Sequence, residues 1–140
     1  MSIPTLQAIA GGNISPSRFV RMGTNNNEVI QSAANQSVVG VSQPNTRAYP
    51  TADSSQYAAA AGEACEIDMP GTVTRLVIGS GGCTVGDWLE SDANGAGIPR
   101  TISAGTVRRI GAKALETAAE GQLCQVLVWL FERSITAGGS

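Results

Sequence analysis

Few side chains in this sequence have the type and spacing to do chemistry. Cys83 lies between the glycine pair Gly81-Gly82 and Thr84, and a thiol is a side chain that can act as a nucleophile. An activated thiol needs a neighbouring base or cation, and none stands beside it. Glu63, Glu66 and Asp68 offer carboxylates in close succession. Glu66 and Asp68 alternate with Cys65, Ile67 and Met69, the pattern of a solvated strand face rather than of an acid/base pair. Asp92-Ala93-Asn94-Gly95 resembles a fragment of a calcium loop but lacks the later bidentate Glu at the proper spacing. Gly79-Ser80-Gly81-Gly82 has neither the lysine nor the helix of a phosphate cradle. The chain contains no histidine, which removes Ser-His-Asp and Cys-His catalysis, the usual zinc sites and the commonest base at neutral pH. The expectation is a protein that is not an enzyme and has no cofactor and no metal.

The elements around these residues are written twice. Gly11-Gly12-Asn13-Ile14-Ser15-Pro16-Ser17-Arg18-Phe19-Val20 returns as Gly81-Gly82-Cys83-Thr84-Val85-Gly86-Asp87-Trp88-Leu89. Val39-Gly40-Val41-Ser42 returns as Ile110-Gly111-Ala112-Lys113, and Ala61-Gly62-Glu63-Ala64-Cys65-Glu66-Ile67 as Glu120-Gly121-Gln122-Leu123-Cys124-Gln125-Val126. Three blocks in one order predict a duplicated unit, with copies over about 11–69 and 81–130. Cys65 and Cys124 hold equivalent positions, so they are read as small core hydrophobes. An odd cysteine count without a C-x-x-C spacing argues against a disulfide framework.

Strands are expected at Arg18–Met22, Glu28–Ser32, Val38–Ser42, Glu63–Met69, Thr72–Ile78, Asp87–Ser91 and Thr106–Ala114, with turns at Pro70-Gly71 and Asn94-Gly95. Gln122–Phe131 is the most apolar stretch. It sets Leu123, Leu127, Trp129 and Phe131 on one face and Cys124, Val126, Val128 and Leu130 on the other, and reads as a strand buried on both. Met1–Asn13 reads as an extended N-terminal arm, 14–133 as one β-domain and 134–140 as a flexible tail. The fold class is all-β, a compact sandwich or barrel. Gln43–Ala60 is a long turn-rich segment that breaks the duplication and carries Tyr49 and Tyr57, side chains suited to contact with a neighbour.

Charged residues make up only 14%, against about 25% in an average domain, so much of the surface is expected to face protein. A net charge of −2 and the single basic pair Arg108-Arg109 give nucleic acid no electrostatic footprint. The longest apolar run, Val126–Phe131, is too short to span a bilayer, and no secretory segment precedes it.

The repeated blocks, together with Val85-Gly86-Asp87-Trp88-Leu89 and Gly111-Ala112-Lys113-Ala114-Leu115-Glu116, resemble small head decoration, or cement, proteins of tailed bacteriophages. The resemblance runs from Gly11 to about Val128. It departs at the cysteines, which replace expected Val or Thr, and at the long Gln43–Tyr57 loop. It implies a structural virion protein, made in the host bacterial cytoplasm, that binds the outer capsid surface and bridges neighbouring capsomers. The implied partners are the major capsid protein and further copies of itself, a trimer before a dimer. Ile3, Pro4, Leu6, Ile9, Tyr49, Tyr57, Trp129 and Phe131 are then the candidate capsid or subunit contacts. The competing reading is a receptor- or carbohydrate-binding β-module, virion-borne or secreted, whose site is the Gln43–Tyr57 loop.

Overall fold

The computed structural model describes residues 5–34, 36–43, 59, 61–99 and 108–133. Both copies begin earlier than the expected 11 and 81, and the first supplies β1 (Thr5–Ala10), β2 (Phe19–Met22), β3 (Glu28–Gln31), β4 (Gly40–Ser42) and β5 (Ala64–Asp68). The second supplies β6 (Val73–Val77), β7 (Trp88–Ser91), β8 (Gly97–Pro99), β9 (Arg108–Ala114) and β10 (Leu123–Arg133). The first five close into a barrel in the order β1-β3-β2-β4-β5, and the second five form a sheet in the order β6-β10-β9-β7-β8. The chain is therefore all-β.

The duplication is carried through the hydrogen bonding. β2–β3, β2–β4, β4–β5 and β1–β5 are antiparallel pairs, and so are their counterparts β7–β8, β7–β9, β9–β10 and β6–β10. Ile14 bridges Ala59 as Cys83 bridges Ala118. The Gly62 amide donates to Ala10 O as the Gly121 amide donates to Ile78 O, both at 2.8 Å. Both glycines turn at positive φ, +86° and +81°, a conformation that costs other residues about 1 kcal/mol or more. The first copy departs from glycine at two such points. Ser17 (φ 56°) and Asn27 (φ 58°) stand where the second has Gly86 (φ 91°) and Gly95 (φ 78°).

The copies differ at one seam. β1 and β3 pair in parallel through Ile9↔Glu28 and Ala10↔Val29, whereas β6 and β8 share only the bridge Ile78↔Gly97. The reason lies between the copies. The Ile9 amide donates to Asn27 O within its own barrel (2.8 Å), but its counterpart Val77 donates to Ser17 O of the first copy (2.9 Å).

Two cores result. Ala8, Ala10, Ile14, Val20, Val29, Ala59, Cys65 and Ile67 fill the first barrel. Leu76, Ile78, Leu89, Ala112, Cys124, Val126 and Val128 form the second, and Phe19 and Val41 of the first copy join it. Phe19 is the largest fully buried side chain, and its ring lies over Gly111 of β9 so closely that a Cβ there would meet it at 2.6 Å. The Phe19 amide donates to Gly95 O at 2.8 Å, while Arg18 Nη1 and Gln31 Nε2 donate to Asn94 O at 3.0 and 2.8 Å. The copies are thus joined by a shared core and a small set of directed hydrogen bonds.

Several expectations change. Residues 5–10 of the expected arm form β1, an integral barrel strand paired with both β5 and β3. Its inward positions are Ala8 and Ala10 while Ile9 points outward, so the hydrophobic alternation that marks a strand is flattened. β8 also went unanticipated; its Pro99 suits the sheet edge it occupies. Asp68 is buried rather than solvated, its Oδ1 accepting from Gln43 Nε2 at 2.7 Å. β10 is buried on one face only. Cys124, Val126 and Val128 are fully enclosed, while Leu123 and Trp129 are about half exposed. A bulge between Val128 and Phe131 also interrupts the simple alternation that grouped Phe131 with Trp129.

Candidate functional site

The carboxylates and turns with chemical potential are engaged in local structure. Asp92 Oδ1 accepts from the amides of Asn94 (2.8 Å) and Ala96 (2.9 Å), fixing the turn that presents Asn94 O to the first copy. Asp87 Oδ2 holds the Thr84 amide at 2.8 Å, and Glu28 holds the turn at Thr24 and Asn25. Those contacts, led by the Asn25 side chain, keep the Glu28 carboxyl below its ordinary range. Burial pushes the Cys65 thiol up to about 11 and the Cys124 thiol up to about 12, so both are un-ionised at neutral pH. Cys83 has Cys124 as its neighbour, with the sulfurs 3.7 Å apart. Among the described residues no group of three or more His, Cys, Asp or Glu side chains is arranged to hold a metal ion.

The best candidate for recognition is a surface. On the outer face of the β6–β10 pair, Leu127 stands opposite Val73 and Gln125 opposite Arg75. Val73 is 52% exposed, Leu123 47% and Trp129 50%, with Leu127 half-buried among them. The first copy shows what this face looks like without such side chains. There Ala64, Glu66 and Asp68 hold the places of Leu123, Gln125 and Leu127. The second copy has therefore put Leu123 and Leu127 where the first has Ala64 and Asp68, with the polar pair Gln125 and Arg75 between them. Several large apolar side chains held in water on one strand pair are a common mark of a protein contact.

Of the predicted contact residues, Trp129 lies on this face and Ile9 is exposed on β1 of the first barrel, so the two stand on different sheets. Leu6 stands opposite Ile67 in the β1–β5 register, and Phe131 opposite Ile110 in the β9–β10 register. Ile3, Pro4, Tyr49 and Tyr57 fall outside the described residues. Val73 and Leu123 were not among the predicted contacts. Their signal was the two-residue period through Trp129 read together with the polar residues of the other copy. Elsewhere Lys113 Nζ lies 5.1 Å from the Trp88 ring centre, a cation–π contact that covers part of the indole.

No protein-family model matches the sequence, and no curated protein does. A solved structure does: the N-terminal base of head fibre gp8.5 in bacteriophage phi29, with a TM-score of 0.63, 21% sequence identity and coverage of 91% of this chain and 94% of that one. The chain thus shares the fold of a phage head-fibre base over nearly its whole length.

Proposed function

We propose that this chain is a structural protein of a tailed-phage virion, made in the host cytoplasm and attached to the outer surface of the head. There it stabilises the shell by bridging neighbouring capsomers, working by packing rather than by catalysis. It acts as a homo-oligomer, a trimer before a dimer, with the major capsid protein as partner. The observation that carries this reading is the likeness to a head-fibre base across 91% of the chain. The apolar outer face of β6 and β10 supplies a contact surface of suitable chemistry. Symmetry repeats one modest contact at every equivalent site, so weak binding per subunit sums to a large effect on the particle.

The test is to purify particles and measure this chain against the major capsid protein. A fixed stoichiometric ratio, with co-sedimentation of the purified chain on undecorated capsids, is expected. Absence from intact virions would sink the proposal.

A further inference from the structure

The second copy holds two thiols in contact where the first holds one. Cys124 has a counterpart in Cys65, but Cys83 occupies the place of Ile14, the two bridging Ala118 and Ala59 alike. Cys83 Sγ stands 3.7 Å from Cys124 Sγ, and the two lie 3.8 and 3.3 Å from the same acceptor, Glu116 O. The pair is reached from one side. Cys83 is 6% exposed and lines a cleft of about 450 Å³ between Gly81–Thr84 and Thr117–Glu120, with Cys124 fully enclosed behind it.

We propose that Cys83 and Cys124 are a redox modification site, closing to a reversible disulfide when the protein meets a hydroperoxide. In the first step Cys83, which has no base or cation beside it among the described residues and so loses its proton to solvent through the cleft, attacks the terminal peroxide oxygen and the O–O bond breaks. With hydrogen peroxide this yields the Cys83 sulfenic acid and, after protonation, water. In the second step the Cys124 sulfur attacks the Cys83 sulfur. The S–S bond forms, the S–OH bond breaks, and the Cys124 proton leaves with the hydroxide as a second water. Two thiols are oxidised, one hydroperoxide is reduced, and the electrons balance. The sulfurs must close from 3.7 Å to the ~2.0 Å of a disulfide. Cys65 has no such partner position opposite it, because Ile14 fills the place. The raised Cys124 pKa makes the second step slow at neutral pH and faster as pH rises.

This inference does not depend on the virion reading and is tested on the purified chain. Reduced protein has three free thiols. After treatment with hydrogen peroxide, one titratable thiol is expected to remain, and peptide mapping without reductant should join Cys83 to Cys124. The cross-link should raise Tm by roughly 5–10 °C, because it ties a long loop in the unfolded chain, and dithiothreitol should reverse the shift. Cys83→Ile, which borrows the residue of the first copy, should fold and lose the shift; Cys124→Ser should also lose it. Retention of three thiols, over-oxidation of Cys83 without a cross-link, or a bridge involving Cys65 would each overturn the proposal.

Discussion

The joint between the copies can be tested with a single methyl group. Gly111 lies in β9 under the Phe19 ring, and a Cβ there would meet Phe19 Cε1 at 2.6 Å, Cζ at 3.0 Å and Cδ1 at 3.1 Å. Phe19 is wholly enclosed and its amide is tied to Gly95 O, so the ring has little room to retreat. Gly111→Ala therefore overpacks a shared core, at about 1–3 kcal/mol. Alanine also restricts the unfolded chain, which offsets about 0.4–1 kcal/mol of that. The net loss should be about 1–2 kcal/mol, or roughly 3–6 °C in Tm. Gly12→Ala is the control. Nothing lies within 4 Å of a Cβ at Gly12, so that variant should be neutral or slightly stabilising. Urea unfolding followed by tryptophan fluorescence and by far-UV circular dichroism reads both variants. Because Phe19 and Val41 belong to the second core, the wild type should unfold in one transition by both probes. If Gly111→Ala matches Gly12→Ala, or if the copies unfold separately, the shared-core argument fails.

Four further outcomes follow from the same geometry. Ser17→Gly, which gives the first copy the residue that the second has at Gly86, should stabilise by up to about 1 kcal/mol by relieving a positive φ; destabilisation would show that the Ser17 side chain matters more than its backbone. Gly86→Ala should cost about 1 kcal/mol despite open space around it. Trp129→Ser should leave folding within about 1 kcal/mol of wild type but weaken capsid co-sedimentation by about 30-fold or more; equal attachment would remove this face from the contact. Glu28 has a depressed folded-state pKa, so its stabilising effect is present above its ordinary value of 4.5 and is lost as pH falls through the lowered one. Glu28→Gln should accordingly flatten the Tm–pH curve on the acid side, and an unchanged curve would show that the carboxylate contacts have no effect.

How much of this was legible in the sequence depended on whether the informative residues were large. β5, with Cys65 and Ile67 inward and Glu66 outward, announces its period, and so does β10 up to its bulge. The duplication was visible because turns need particular residues: Gly62 and Gly121 hold the same left-handed corner. β1 was hidden because alanine takes its inward positions 8 and 10, where other strands of the same barrel carry Val20, Val29 and Ile67. Asp68 was misjudged because its partner Gln43 lies 25 residues away, and no local pattern reports such a bond. The contact face needed both copies side by side. Leu123 and Leu127 are unremarkable in a strand, and become informative once Ala64 and Asp68 are seen in their places.

The two copies meet asymmetrically. A twofold joint would repeat each contact with the roles exchanged, so Ile9 would donate to Gly86 O as Val77 donates to Ser17 O. It does not: the Ile9 amide is bound to Asn27 O inside its own barrel. The joint is therefore head-to-tail, and among the described residues no backbone hydrogen bond repeats it from the corresponding face of the second copy. Repeating such a contact between chains without closure would build a fibre. The corresponding face has lost the groups that make the joint. Arg18 and Gln31 both donate to Asn94 O, but at their places stand Asp87 and Pro99, neither of which has an N–H on its side chain. Asp87 turns back to hold Thr84, and the Trp88 ring, unlike enclosed Phe19, packs beside Lys113. These substitutions leave the second copy without the donors through which the first holds its neighbour. The exposed apolar side chains of β6 and β10, which the first copy lacks, are the surface proposed above for the capsid contact.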